Sequence, residues 1–274
     1  MSVGSSLSNR LLTTLDKSLI TACTSLFALL ISPVSGLLGD SLGRKKVILL
    51  ADILFVLGAA IQAVTTSVWL MIVGRSIVGL AVGAASFVVP LYIAELAPAK
   101  FRGRLVTLNV LFITLGQVVA YLIGWGFAEW GGANGWRWMV GLGGLPAGIQ
   151  CLVVVMMPES PRWLVKVGRS EEAKMILQKV FGAGTEVQKM VQSILKGIEH
   201  EVREEEEAKR SRLRGSPSKS GSSWFPSLDD SWSELFRVPG NRRALTIACL
   251  LQGLQQLCGF VCLSILLLSI ICCL

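Results

Sequence analysis

The chain has 274 residues, of which 52% are hydrophobic and 16% are charged, and its mean hydropathy is +0.62. Because a soluble domain carries about 25% charged residues, this composition excludes an ordinary soluble protein. The formal net charge is +8, but 16 of the 26 Lys and Arg residues and 13 of the 18 acids lie within residues 158–243. The composition indicates a membrane protein with one polar insert, and its positive charge is not interpreted as a nucleic-acid-binding surface.

Apolar runs of about 20 residues or longer divide the chain. They cover residues 18–39, 47–66, 69–92, 105–128, 136–157 and 244–273. About 20 helical residues span the roughly 30 Å hydrocarbon core of a bilayer, and a backbone in lipid must satisfy its own hydrogen bonds. The sequence therefore predicts an all-α membrane protein whose six apolar runs are transmembrane helices.

The predicted organisation has four parts. Residues 1–17 form an external or lumenal stub, residues 18–157 carry five transmembrane helices, residues 158–243 form a cytosolic helical linker domain, and residues 244–274 hold the sixth helix and an atypical tail. Within the linker domain, the apolar spacing of residues 168–182 predicts a helix that ends at Gly182. The composition of residues 215–223 predicts a flexible linker. The acidic run 204–207 is interpreted as a solvated helix face, with a partner-binding surface as the alternative.

The distribution of Lys and Arg between the loops predicts the orientation. Residues 40–46 and 95–104 carry three each and residues 158–243 carry 16, whereas residues 65–68 and 129–135 carry none. Basic loops are retained on the cytoplasmic side of a membrane. The strict alternation therefore places residues 158–243 in the cytosol.

Residues typical of catalytic and metal-binding sites are few in this sequence. His200 is the single histidine, and the seven cysteines all fall within the apolar runs without metal-binding or disulfide spacing. The sequence gives no reason to expect catalysis, a metal or another cofactor.

Polar side chains recur inside two of the apolar runs. One set is Thr107, Thr114, Gln117 and Tyr121, and the other is Gln252, Gln255 and Gln256. Amides in lipid are costly unless they face other helices or a water-filled cavity. These polar side chains are interpreted either as forming hydrogen bonds between helices or as lining a cavity for a polyhydroxylated solute.

Arg75 and Asp52 are charged residues that lie within apolar runs. Arg75 is about seven residues into its run, and a buried arginine needs an acidic partner or a path to water. Asp52 lies nearer a helix end and is expected to reach Arg44 or the surface.

The spacings Gly79–Gly83 and Gly144–Gly148 predict close helix packing.

Several motifs, in this order, resemble the sugar porter branch of the major facilitator superfamily. They are GLLGDSLGRKK at residues 36–46, GRSIVGLAVG at 74–83, PLYIAELAPAKFRG at 90–103, WRWM at 136–139, PESPRWL at 158–164 and QGLQQLCG at 252–259. The resemblance covers about residues 15–260 and is strongest to the fungal and plant myo-inositol transporters. It implies a partial major facilitator bundle that matches the second to seventh helices of the family, with a helical cytosolic insert.

The resemblance also implies roles for particular residues. Gln117, Gln255 and Gln256 would contact the sugar or polyol, and Arg75 would correspond to the arginine that interacts with an acid on the first helix in proton-coupled members. A cytoplasmic network of charges would close the transporter on its inner side; its members would be Asp40, Arg44, Glu95, Arg102, Glu159 and Arg162.

The resemblance further implies alternating-access transport of myo-inositol or a monosaccharide, with protons as candidate co-substrates. The plasma membrane is the expected location, with vacuolar or other endomembranes as alternatives. A transporter-like sensor or non-transporting regulatory fragment, and a porter of another solute such as quinate, remain alternatives. The family's first helix and its eighth to twelfth helices have no counterpart in this sequence, so this chain is not expected to transport by itself.

Overall fold

The computed structural model describes residues 13–98, 101–130, 135–182, 184–215 and 239–257. Within these ranges the chain forms helices, which we number α1 to α9. They are Thr14–Leu42 (α1), Arg44–Val64 (α2), Val68–Leu96 (α3), Arg102–Trp130 (α4), Gly135–Met156 (α5), Pro161–Lys166 (α6), Ser170–Phe181 (α7), Thr185–Gly215 (α8) and Pro239–Leu257 (α9).

Five of these helices, α1 to α5, are long and apolar enough to cross a membrane. The predicted sixth run begins within α9, and its part beyond residue 257 lies outside the described residues, as do residues 1–12 of the predicted stub and 216–223 of the predicted linker. The chain divides into two compact units, Met1–Ala208 and Lys209–Leu274. The packing described below belongs to the first unit.

The helices extend beyond the apolar runs at several ends. α3 continues to Leu96, four residues past the predicted run, and α1 begins at Thr14 within the predicted stub. A helical backbone satisfies its own hydrogen bonds in water as in lipid, so hydropathy does not mark where a helix stops. The expected loop at residues 40–46 is wrong for this reason: α1 continues to Leu42 and α2 begins at Arg44, which leaves Gly43 as the turn.

Glycines bring α1 and α3 into close contact. A Cβ atom at Gly79 would lie 2.5 Å from the backbone oxygen of Thr24, and one at Gly83 would lie 2.5 Å from that of Ala28. Only a residue without a side chain fits such an approach between two backbones. The close packing predicted for this glycine pair is confirmed.

α2 packs against both α3 and α5. Gly58 faces Val78 of α3, where an added Cβ would lie 2.7 Å from the valine Cγ2 atom. Ala59 faces Gly144 of α5, where an added Cβ would lie 3.4 Å from the Ala59 Cβ atom, an ordinary contact distance. A Cβ added at Gly148 would have no atom within 4 Å. The expectation of close packing at Gly148 is therefore wrong, since the helices do not meet tightly there.

The short connection between α2 and α3 is held by α5. The Arg137 Nη2 atom donates to the carbonyl oxygen of Thr65 at 3.1 Å, and its guanidinium carbon lies 5.3 Å from the centre of the Trp136 ring. A cation suits this position because the last carbonyls of a helix have no partner within the helix and carry partial negative charge. Thr65 is fully buried.

The predicted linker domain begins with three packed helices. Trp163, Leu164 and Val165 of α6 form a buried cluster with Ala173 of α7 and Val202 of α8. α7 ends at Gly182, whose φ of 94° is a conformation that glycine adopts readily. The helix predicted for residues 168–182 is thus confirmed.

Candidate functional site

The described charges of the bundle concentrate at one end, where Arg44 forms the centre. Its Nη2 atom lies 2.8 Å from Asp40 Oδ1 and 3.0 Å from Glu95 Oε1, and its Nη1 atom donates to the Gly39 carbonyl at 2.9 Å. The Arg44 and Glu95 side chains are only 5% and 6% exposed. One guanidinium, always charged and with several donors in a fixed plane, therefore ties the end of α1 and the end of α3 to the start of α2.

The same carboxylate binds the next helix. Glu95 Oε2 accepts a hydrogen bond from the hydroxyl of Ser160, and the Ser160 oxygen accepts one from the Trp163 backbone N–H, which caps α6. Ser160 is fully buried. Serine before Pro161 is a typical start of a helix, and here the capping side chain also links α6 to α3.

Glu159 closes the turn between α1 and α2. Its Oε1 atom accepts a hydrogen bond from the Lys45 backbone N–H at 3.0 Å, where the free N–H groups of a helix start favour an anion. A Cβ atom at Gly43 would lie 2.8 Å from Glu159 Oε2, and the Gly43 φ is 100°. The turn therefore requires glycine both for its backbone conformation and for the space that the carboxylate occupies.

α6 makes two further contacts with α1. The Trp163 Nε1 atom donates to the Asp40 carbonyl oxygen at 3.0 Å, and the Lys166 Nζ atom lies 3.1 Å from Asp40 Oδ2. We call Asp40, Arg44, Glu95, Glu159, Ser160, Trp163 and Lys166 the charge cluster. It joins the adjoining ends of α1 and α2 to the end of α3 and to α6.

Arg102 and Arg162, two predicted members of the cytoplasmic network, do not belong to the charge cluster. Arg102 begins α4, is exposed, and forms no ion pair with Glu95 in the part of the chain that the structure describes. Arg162 faces α8, where its guanidinium lies 3.5 Å from Glu201 and 3.6 Å from Glu205. These two pairs are largely exposed, so water screens them and each contributes little to stability.

Sequence reasoning did not single out Ser160, Trp163 or Lys166. A signal for Ser160 was present, because serine followed by proline before an apolar segment is a helix-capping pattern. No signal for Lys166 was available, since its partner Asp40 is 126 residues away.

Of the predicted solute-binding residues, the structure describes the side chain of Gln117. Gln117 lies exposed on α4, and the hydroxyls of Thr107 and Thr114 donate to carbonyls of their own helix. Gln255 and Gln256 belong to α9, and their side chains lie outside the described residues. The grouping of Gln117 with Gln255 and Gln256 therefore stays a prediction.

Arg75 lies on the side of α3 that faces α1. It is one turn before Gly79, which contacts Thr24. The Arg75 Nε and Thr24 Oγ1 atoms are both buried and have no hydrogen-bond partner among the described residues. Unsatisfied polar atoms in an apolar interface are costly, so this region is suited to a further polar group.

Comparisons with known proteins agree with the fold. The family model described as "Sugar (and other) transporter" matches residues 2–271. Myo-inositol transporter 1 of Candida albicans is 40% identical over 261 residues, which are 94% of this chain and 43% of that protein. Myo-inositol transporter 1 of Cryptococcus neoformans is 43% identical over 250 residues, 91% of this chain and 41% of that protein. The chain thus spans less than half the length of these relatives.

A solved structure shows the same helical arrangement. The proton:xylose symporter XylE of E. coli, bound to 6-bromo-6-deoxy-D-glucose, matches with a TM-score of 0.68 and 26% identity, over 78% of this chain and 50% of that chain. The prediction of an all-α partial major facilitator bundle is confirmed. With the family model matching nearly its whole length, this chain belongs to the sugar transporter family of the major facilitator superfamily.

Proposed function

We propose that this chain forms the amino-terminal bundle of a porter that moves a small polyol or sugar, with myo-inositol as the first candidate. The support is family membership together with the names of the relatives, which are myo-inositol transporters, and of XylE, a xylose symporter. Transport by such a bundle needs no covalent chemistry, because the solute crosses when two helical bundles rock around a central site.

The charge cluster is the observation that carries the mechanism. Arg44 joins three helix ends through charged hydrogen bonds, and such contacts are strong when desolvated and weak when water enters. The cluster acts as a breakable lock: it stabilises the state in which these helix ends are together, and hydration of the cluster accompanies their separation. We place this end in the cytosol because residues 158–243, which follow it, carry 16 of the 26 basic residues.

Gln117, Gln255 and Gln256 are the proposed solute contacts, and Arg75 is the proposed proton-linked residue. An amide supplies two donors and an acceptor for neighbouring hydroxyl groups, which suits a polyol. The Nε atom of Arg75 is buried and has no hydrogen-bond partner among the described residues. This observation supports a partner for Arg75 that lies outside the described residues.

Uptake of labelled myo-inositol by yeast cells that lack their own carriers tests the function. The 274-residue chain and a longer product, in which it is joined to the part of Myo-inositol transporter 1 of Candida albicans that it does not match, are expressed in parallel, with xylose, glucose and quinate as competitors. We expect saturable uptake with the longer product and none with the chain alone. Absence of uptake for every solute, with normal amounts of the longer product in the membrane, would contradict the proposal and favour a sensor.

Gln117→Ala in the longer product tests the solute site. The variant is expected to raise the half-saturation constant, whereas Leu115→Ala, which shortens an exposed side chain on the opposite face of the same helix, should leave it unchanged. Equal constants for both variants and the unmodified protein would remove Gln117 from the site. Indifference of uptake to external pH and to protonophores would remove Arg75 from a proton-linked role.

A further inference from the structure

Asp52 is a buried acid that neither the charge cluster nor the proposed solute site uses. It lies eight residues after Arg44 in α2, which corresponds to about 12 Å along the helix. Its side chain is 5% exposed, and its Oδ2 atom is buried without a hydrogen-bond partner among the described residues. The expectation that Asp52 reaches Arg44 or the surface is therefore wrong, because Arg44 is already bound to Asp40 and Glu95.

The face on which Asp52 lies can be read from the packing of α2. Residues seven apart share a helix face, so Asp52 lies on the same face as Ala59, which contacts Gly144 of α5. Gly148 lies one turn further along α5, and a Cβ there would have no atom within 4 Å. Asp52 is thus on the face directed at α5, and the space beside Gly148 lies between the levels of Ala59 and Asp52.

The titratable and charged groups of the helices packed against α2 are few. They are Asp16, Lys17, Cys23 and Asp40 on α1, Arg75, Tyr92 and Glu95 on α3, and Arg137 and Cys151 on α5, in addition to Arg44, Lys45 and Lys46 on α2 itself. α2 and α5 are antiparallel, with Ala59 opposite Gly144 and Ile48 clustered with Val154. By this register, Cys151 is the group level with Asp52.

The described cations lie elsewhere along the helices. Arg137 contacts Thr65 beyond the far end of α2, and Arg75 follows Gly74, which packs against Gln62 near that end. Arg44 is committed to the charge cluster, the Lys45 Nζ atom donates to the Val155 carbonyl oxygen at 2.8 Å, and Lys46 is exposed. An ionised Asp52 would consequently be a carboxylate inside a membrane-spanning helix without a cation, an arrangement that is strongly disfavoured.

We propose that Asp52 is a proton-binding site within the membrane, separate from Arg75, that keeps its proton while α5 is packed on α2. The neutral acid supplies an O–H donor for a backbone carbonyl or a water beside Gly148, whereas the ionised acid has only acceptors. Opening of the α2–α5 contact to water would let the acid release its proton to solvent and become a carboxylate. The inference depends on α2 spanning the membrane and not on which solute is carried.

Infrared difference spectroscopy of the 274-residue chain in lipid nanodiscs tests this assignment directly. At neutral pH we expect a carbonyl stretch of a protonated carboxylic acid that shifts in heavy water and is lost in Asp52→Asn. Asp40→Asn, at the exposed acid of the charge cluster, should retain the band. Spectra of the unmodified chain and of Asp52→Asn that are identical in this region would overturn the proposal.

The pH dependence of thermal unfolding in detergent provides a second measurement. If the folded chain keeps Asp52 neutral, raising the pH from acidic to alkaline favours the unfolded chain, in which the acid ionises freely, so the midpoint falls. Asp52→Asn should abolish this part of the decline and Asp40→Asn should not. An Asp52→Asn variant with the same slope as the unmodified chain would overturn the proposal, whatever the outcome of the uptake assays.

Discussion

Lys166 and Asp40 form an ion pair with an Nζ–Oδ2 distance of 3.1 Å, although 126 residues separate them in the sequence. The pair connects α6, the first helix of the polar insert, to the end of the first apolar helix. Asp40 also binds Arg44 and accepts from the Trp163 indole through its carbonyl. The insert is therefore attached to the helix ends by defined contacts.

The Lys166–Asp40 pair is expected to contribute modestly to stability. Both side chains are partly exposed, at 33% and 44%, and exposed ion pairs contribute about 0.2–1 kcal/mol. A double-mutant cycle with Lys166→Met and Asp40→Asn should give a coupling energy in this range from unfolding in detergent. Lys174→Met is the control, because its pair with Glu171 lies within α7 and cannot couple to Asp40. A coupling energy of zero would show that the contact is not maintained.

Glu95→Gln should destabilise the chain far more than loss of an exposed acid. Removing the charge leaves Arg44 buried with one carboxylate fewer, and breaking a buried pair costs about 3–5 kcal/mol. The neutral amide has one acceptor oxygen for the two contacts that Glu95 makes, with Arg44 and with Ser160, so the variant loses both the charge and one acceptor. Glu205→Gln, whose pair with Arg162 is exposed, should change the unfolding free energy by less than about 1 kcal/mol. Similar unfolding midpoints for Glu95→Gln and Glu205→Gln would contradict the proposed contribution of the Glu95 charge to stability.

Gly43→Ala separates two reasons for glycine at the turn between α1 and α2. Gly43 has φ 100° and ψ 151°, a combination found almost only for glycine that costs other residues about 1–3 kcal/mol, and the added Cβ also meets Glu159 Oε2 at 2.8 Å. Gly168→Ala is the matched control, because Gly168 has a φ of 84° with no atom within 4 Å. We expect Gly43→Ala to lower the unfolding midpoint more than Gly168→Ala. Equal losses would mean that the carboxylate moves aside without cost.

Gly79→Ala should disrupt the contact between α1 and α3. The new Cβ would lie 2.5 Å from a backbone oxygen of Thr24, and overpacking of this kind costs about 1–3 kcal/mol. Gly116→Ala on α4 meets nothing within 4 Å and should be neutral or stabilising by up to about 1 kcal/mol, since alanine favours a helix. Opposite signs of the two changes in thermal stability are the expected result. A neutral effect of Gly79→Ala would contradict the close approach of these helices.

Protease protection checks the orientation proposed for residues 158–243. In sealed cells with the outer face exposed, cleavage in this segment should require permeabilisation, because its basic residues favour the cytosolic side. A cytosolic marker protein serves as the control for sealing. Cleavage in intact cells would place the charge cluster on the outer side and remove its proposed role.

Much of the fold could be predicted from the sequence because lipid imposes a local rule. An apolar stretch long enough to cross a bilayer has to be helical, and each of α1 to α5 contains most of a predicted run. The same argument fails at residues 40–46, where charge suggested a loop although the helices continue to Leu42 and resume at Arg44. Charge reports contact with water, and a helix in water needs no interruption.

The sequence by itself determined that this chain is helical, membrane-embedded and similar to sugar porters, because hydropathy, loop charge and short motifs are local properties. The tertiary structure alone decided which charges meet. Glu95 and Ser160 are 65 residues apart, and Lys45 and Glu159 are 114 apart, so no spacing rule could have paired them. It also decided that Asp52 has no described partner, because the burial of one side chain depends on the packing of helices distant in the sequence.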